Sequence, residues 1–486
     1  MKHQLGNFLR SPTFRHVISA CIVAAMSCAW PCRGVAAVES VRPSVAITDV
    51  TVVDVEQGRT IGLRTVLIEG GRVVAIDEPA ASHIPDGAQR VDGHGRFLIP
   101  GLVDMHVHLF NNATHRPPNT WAFPLFIANG ITAVREMAAI PQSMPIVHAW
   151  RKATENGTLI APHIIAAGVV AYGPSPDEAV RQVDVAADAG ADFIKVFSDI
   201  SAPSWRAVID AAHRRSLPVM GHVPAGISVL AAAQAGQRTD EHLTQIFESC
   251  STIERAVFDE RHGLEGEALV ARSDAQESRV LEAFDQPACD HVAAALAKSG
   301  QAQVPTLVLP YEESKPAGRA PANDSRWKYL RTDERTRWLR AQQSLTPDER
   351  VVAARRWPVA RKIVTTLHHA GAVLLAGTDT PMPNVYPGDS LHEELALLVE
   401  SGLSPAEALR SATLAPALFL GIADRMGSVS VGKRADLVLL DANPLTDIRN
   451  TRRIRAVLLD GHLLTHPALV ALLADAAKGN ADAPSH

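Results

Sequence analysis

The chain has 486 residues, 47% of them hydrophobic, and a formal net charge of −5. This composition supplies a large core and carries no excess of basic residues, which excludes a nucleic-acid-binding protein and points to a globular enzyme. The length accommodates two or three domains, or one large α/β barrel with an accessory domain.

The first 37 residues read as an export signal. Lys2, Arg10 and Arg15 form a positive start, Val17 to Ala29 an apolar core, and "GVAA" offers small residues for cleavage after Ala37. The apolar run falls short of the about 20 residues that span a bilayer. The expected location is periplasmic or secreted, with no membrane contact beyond the signal. Cys21, Cys28 and Cys32 lie in that segment, which leaves Cys250 and Cys289 to the mature chain. Neither has metal-type pair spacing; one disulfide and two buried thiols are both open readings.

Val45 to Pro100 reads as strands. "VAITDVTVVDV" and "TVLIEGGRVVAID" are β-branched or alternating, and "EGGR" marks a hairpin turn. Short apolar strands then alternate with helical stretches such as "SPDEAVRQVDVAADAGA". The candidate strands are "GLVDMHVHL", "GITAVREM", "HIIAAG", "DFIKVF", "LPVMGHV", "RTDEHL", "VPTLVL" and "VLLAGTDT". Such a series predicts an α/β fold, a (β/α)8 TIM barrel. "GSVSVGKRADLVLLDANP" and "RIRAVLLDGHLL" return to strand character. Neither β-rich end can bury a sheet face alone, so the two are expected to form one small β-sandwich. The expected division is a signal peptide over 1–37, a composite sandwich from 38–100 and 421–466, a barrel over 101–420, and a C-terminal helix with a loose "KGNADAPSH" tail over 467–486.

About 60 residues follow the sixth strand and about as many the seventh, on the face where barrel chemistry sits. The second of these inserts, Tyr311 to Lys362, carries thirteen Lys and Arg against seven Asp and Glu. Attraction of an anionic substrate and ordinary solvated helix faces are the two readings, and the second is favoured.

Polar residues at strand ends are the chemical signal. His106 and His108 stand two apart on a strand and so share one face, which favours metal ligation over two buried core imidazoles. Lys195 interrupts "DFIKVF" beside Phe193 and Phe197, where an unpaired ammonium is costly. His222 ends "LPVMGHV", His242 ends "RTDEHL", and Asp379 closes "LLAGTDT" after Gly377. These residues all fall near the C-terminal ends of candidate barrel strands.

In these stretches, and in "LHEELALLVESGLSPAEALRSAT" and "GSVSVGKRADLVLLDANP", the chain resembles the amidohydrolase superfamily, in its imidazolonepropionase-like and prolidase-like branch. The resemblance runs over nearly all of the mature chain. It implies the barrel-plus-sandwich fold and two divalent metal ions, usually Zn2+. By it, His106, His108 and Asp379 would hold one ion, His222 and His242 the other, and Lys195, N-carboxylated by CO2, would bridge both. The chemistry it implies is attack by a metal-activated hydroxide, with Asp379 as the proton shuttle. Lys195 sets the chain apart from imidazolonepropionases, which work with one metal, and points to relatives that cut dipeptides and other amide-type C–N bonds.

Three further residues are candidates for substrate contact. Arg135 in "TAVREM" could bind a carboxylate, or else pair with Glu136 or Asp104. Tyr172 in "VAYGPS" could polarise a carbonyl or simply pack. His392 in "SLHEEL" is placed at the start of the helix after the eighth strand. The expectation is an exported amidohydrolase acting on a small molecule, with homo-oligomerisation left open. A lactonase or deaminase on the same metal platform is the alternative, followed by a non-catalytic relative, which would usually have lost ligands.

Overall fold

The computed structural model describes residues 44–110, 117–315 and 324–481. The expected export signal lies outside them. Val45–Asp54 pairs antiparallel with Arg59–Glu69, which turns through Gly70 and Gly71 into Arg72–Asp77. Phe97–Pro100 lies parallel to the first of these strands and antiparallel to Leu437–Leu440. Leu437–Leu440 continues into Ile454–Leu459 and His462–Thr465. The two ends of the chain therefore share one eight-stranded sheet. Its buried face gathers Val45, Ile47, Val66, Leu98, Leu437 and Leu458.

Between these ends lies a curled parallel sheet. Leu102–Val107, Ile131–Ala139, His163–Val170, Phe193–Val196 and Val219–Gly221 follow one another in space as in sequence. Thr239–Glu241 and Ala302–Val304 form a second parallel pair. The Arg238 amide donates to Val219 O at 2.8 Å and joins this pair to the curl. The segment 373–380 bonds to both neighbours. Gln303 N donates to Val373 O (2.8 Å), Met105 N to Ala376 O (2.9 Å) and Asp379 N to His106 O (2.8 Å). Helices between the strands bury one stripe each. In Pro176–Asp188 the Ser175 hydroxyl caps the Glu178 amide, and Ala179, Val183 and Ala186 face inward at helical spacing.

The structure corrects the sequence reading in several places. "VPTLVL" is a strand only to Val304; Val308–Ser314 is helical, after a turn at Thr306. A short apolar run does not by itself distinguish the two. "VLLAGTDT" makes single bridges at Leu374 and Thr380 instead of a regular ladder. In the expected tail, Lys478 to Ala481 belong to the helix His466–Ala481. Part of the insert's positive charge is paired, by carboxylates inside it and on neighbouring helices. Arg326 pairs with Asp324 and Asp389, Arg337 with Glu334, Arg355 with Glu282, and Arg356 with Glu277 and Glu313. Cys250 and Cys289 form a disulfide.

Where the shared sheet meets the curled one, four charged groups come together. His163 Nε2 lies 3.2 Å from Asp460 Oδ2 and 3.5 Å from Asp436 Oδ2, and Arg434 Nε lies 2.7 Å from Asp436 Oδ2. The spacing of His163, Asp436 and Asp460 would suit a metal. Arg434 already supplies a cation, however, and one proton on His163 makes the cluster neutral. Burial alone would lower the His163 pKa, but the two carboxylates outweigh it and raise it to about 9. The stabilisation is fully present below the ordinary histidine value of 6.5 and is lost as pH rises through about 9. The expected size is about 3 kcal/mol. Urea unfolding at pH 7 and pH 10 should show that loss in wild type and not in His163→Gln. Equal pH dependence in the two proteins would remove the charged cluster from the stability of the fold.

Candidate active site

Asp379 is the centre of the site. Its Oδ1 lies 2.7 Å from His108 Nε2 and 3.3 Å from His106 Nε2, and its Oδ2 lies 3.9 Å from His242 Nε2. The close approach of segment 373–380 to the first curled strand makes this arrangement possible. A Cβ on Gly377 would stand 3.0 Å from both the Cβ and the N of His106. Burial alone would raise the Asp379 pKa, but His242, His106 and His108 hold it well below the ordinary range. The carboxylate is therefore ionised at neutral pH.

His222 joins the cluster through His242, with ring centroids 4.9 Å apart and the rings nearly perpendicular. Burial and the Lys195 charge push His222 far down, and burial lowers His242 to about 3. Both imidazoles are neutral and keep a lone pair for ligation. Lys195 is wholly buried, its Nζ 5.0 Å from the Phe197 ring centroid. Burial pushes its ammonium down to about 8, against the pull of Glu241 and Asp379. Gly221 leaves it room: a Cβ there would meet Lys195 Cδ at 2.8 Å.

The donor set fits divalent metal. His106 Nε2, Asp379 Oδ1 and Lys195 Nζ are buried without a hydrogen bond. His106 Nε2 and Asp379 Oδ1 approach one another, yet without hydrogen-bond geometry. Lone pairs aimed at a common point produce that pattern, and leaving such atoms unmatched in a dry interior is costly. His106, His242 and Asp379 offer ligand atoms within 4.8 Å of one another. Three residues around the site, His242, Thr306 and Asp379, hold left-handed backbone conformations at φ of 63°, 46° and 66°. Strain of this kind persists only where surrounding contacts fix it.

Of the substrate-contact candidates, the structure redirects two. Arg135 is fully buried. Its Nη2 donates to both oxygens of Glu241 (2.8 and 3.0 Å) and its Nε to Met105 O (2.6 Å). The guanidinium is committed inside the protein and does not reach a substrate carboxylate; its acidic partner is Glu241, not Glu136 or Asp104. His392 lies within the first turn of Asp389–Glu400, with Nδ1 bonded to Thr451 Oγ1 and Nε2 to Asn129 O. Both ring nitrogens are used in joining that helix to its neighbours. Tyr172 is 40% exposed and stacks on Phe197, which in turn stands edge-on to His222. Of the three, it is the one open to solvent beside the cluster.

Sequence reading passed over the residues that orient the imidazoles. His106 Nδ1 meets Glu241 Oε2 at 2.8 Å, His222 Nδ1 meets Ser198 Oγ at 3.0 Å, and His242 Nδ1 meets Thr306 Oγ1 at 2.7 Å. Each contact occupies Nδ1 and leaves Nε2 for the centre. Thr306 donates its own proton to Pro305 O, so it accepts from His242. Asp104 accepts from the His106 and Thr378 amides and the Thr378 hydroxyl, tying Leu102–Val107 to the segment 373–380. The available signal was a second polar residue near two of the histidines, Asp104 in "VDMH" and Glu241 in "DEHL"; Ser198 and Thr306 left none.

Residues 97–464 match the amidohydrolase family. Among curated relatives, adenine deaminase 2 of Agrobacterium fabrum (strain C58 / ATCC 33970) is 26% identical over 408 residues, 82% of this chain and 54% of the relative. A dihydroorotase of Mycobacterium leprae (strain TN) is 30% identical over 144 residues, 28% of this chain and 31% of the relative. The chain thus spans from about a third to about half of the length of these relatives. Among solved structures, bottromycin amidohydrolase superposes with a TM-score of 0.67 at 24% identity, covering 90% of each chain. The match is one of fold.

Proposed function

Because the chain belongs to the amidohydrolase family, we propose that it is a metal-dependent hydrolase of amide-type C–N bonds, acting on a dipeptide, an N-acyl amino acid or a related amide. The observation that carries this reading is the convergence of His106, His108, His222, His242, Lys195 and Asp379, with three of their polar atoms buried and unmatched. On this reading His106, His108 and Asp379 would hold one divalent ion, His222 and His242 would hold a second, and Lys195, carboxylated by CO2, would join them. Zinc suits the nitrogen and carboxylate donors. When bound, such ions polarise a carbonyl and ionise water near neutral pH.

The protein's own groups supply the rest. A neutral amine is what adds CO2, and burial lowers the Lys195 pKa in that direction. Asp379, ionised and in contact with three imidazoles, takes a proton from the attacking water and delivers it to the leaving nitrogen. Glu241, Ser198 and Thr306 hold the imidazoles in one orientation, so the site is set before substrate arrives. Tyr172, partly exposed and stacked on the Phe197 that faces His222, is offered for substrate contact. The same reading takes the strand ring as a closed (β/α)8 barrel and the shared sheet as its small sandwich partner. It also takes the protein as exported; the charge order of residues 1–37 and the Cys250–Cys289 disulfide support this.

The likeness to adenine deaminase 2 supports a second reading, hydrolytic deamination by the same groups. Two measurements test the proposal. Elemental analysis of protein expressed with bicarbonate should approach two metals per chain. Turnover of dipeptides, N-acyl amino acids, cyclic amides, lactones and aminopurines should favour the amides. Full activity with one metal per chain would remove the bridging role of Lys195, and ammonia release from aminopurines alone would select the deaminase.

A further inference from the structure

The long connection after Thr239–Glu241 contains one arginine that touches both of the loops carrying His222 and His242. Arg261 ends the helix Glu254–Arg261 and is buried. Its Nη1 donates to Ala225 O at 2.9 Å and to Gln245 Oε1 at 2.7 Å; its Nη2 donates to Glu248 Oε1 at 2.9 Å. Its Nε donates to Gln276 Oε1 at 2.7 Å, on the following helix. Ala225 lies three residues after His222, and Gln245 three after His242.

The contacts to Ala225 and Gln245 lead back to the two imidazoles. The Ala225 amide donates to Ser198 O at 2.9 Å, and the Ser198 hydroxyl meets His222 Nδ1. On the other side, His242, Leu243 and Gln245 all lie in the left-handed region, at φ of 63°, 56° and 62°. Three such non-glycine residues in four positions need outside contacts to hold them. Arg261 supplies two, on the Gln245 side chain and on Glu248. The Val223 amide donates to Thr244 Oγ1 at 2.8 Å and ties the two loops directly.

We infer that Arg261 is a positioning residue that sets His222 and His242 as a pair and thereby the affinity of the second metal position. The inference rests on the two-metal reading above. It gives the insert a task inside the site. Arg261 touches no reacting group; it acts through Ala225, Gln245 and Glu248.

The test is a zinc titration of the full-length protein, stripped by chelation and titrated in bicarbonate buffer against a chromophoric competitor. Hydrogen exchange of the amides at 223–226 and 242–249 is followed in parallel. Arg261→Met is combined with Glu248→Gln, so that no buried carboxylate is left without its cation. Wild type is expected to take two zinc ions. The double variant should keep the first with unchanged affinity and bind the second about 10–100-fold more weakly, with faster exchange in both loops. If the double variant does not fold, Arg261→Lys serves. It keeps a cation in the pocket, but a single Nζ cannot stand at once where Nη1 meets Ala225 and Gln245 and where Nη2 meets Glu248, and the same pattern is expected. A second zinc bound with wild-type affinity in the folded variant overturns the inference. If wild type itself takes only one zinc, the two-metal reading falls, and the exchange rates of the two loops decide the role of Arg261 by themselves.

Discussion

Asp379→Asn is expected to lower kcat by about 10²–10⁴-fold, with little change in the thermal midpoint. The substitution keeps the side-chain volume and one ligating oxygen. It also keeps the backbone, because asparagine tolerates the left-handed conformation Asp379 adopts at φ 66° as well as aspartate does. What it removes is the carboxylate that His242, His106 and His108 hold ionised. A fall in kcat at unchanged metal content would place the loss in proton transfer. His106→Asn should differ and lose metal along with rate. An Asp379→Asn protein that turns over its best substrate near the wild-type rate would mean that the chemistry runs through another group.

The residues that gather in the cluster were legible because they stand in or directly after short β segments, where an inward polar side chain has few uses. His106, His108, His242 and Asp379 meet within direct contact distance, and His222 and Lys195 complete the cluster. The orienting contacts were not legible. Arg135 and Glu241 lie on strands separated around the curl, and no local period records which residues face one another across its interior. His392 shows the same limit: its two partners, Asn129 and Thr451, lie on distant elements. The charge of the insert Tyr311 to Lys362 could be counted, but its partial pairing with Glu277, Glu282 and Asp389 depends on packing.

Arg135→Met should be the most destabilising single change at the site, by about 3–5 kcal/mol. Arg135 and Glu241 are both fully buried and paired. Burial alone would raise the Glu241 pKa, and Arg135, aided by His106, brings it down instead. Without the guanidinium, Glu241 must take up a proton or remain as an uncompensated charge beside His106. Arg135→Met with Glu241→Gln removes that charge, and the glutamine oxygen can still accept from His106 Nδ1. The double variant is expected to recover more than half of the loss. Denaturant unfolding of metal-stripped proteins measures the cycle without the contribution of bound ions. A single-variant loss below about 1 kcal/mol, within the range of an exposed ion pair, would show that the pair adds no more than a surface contact does.

The pairing of Phe97–Pro100 with Leu437–Leu440 bears on how the chain is made. During synthesis, at about 5–20 residues per second, the first of these strands emerges long before the second. Through that interval its backbone donors and acceptors along one side have no native partner, and Leu98 and Ile99, fully covered in the finished protein, remain open to water. An unpaired apolar edge invites pairing with other nascent chains. Completion of the protein therefore waits on its C-terminal strands, and a ribosome stalled before Leu437 would release a product prone to aggregate, even with His106, His108, Lys195, His222, His242 and Asp379 all made.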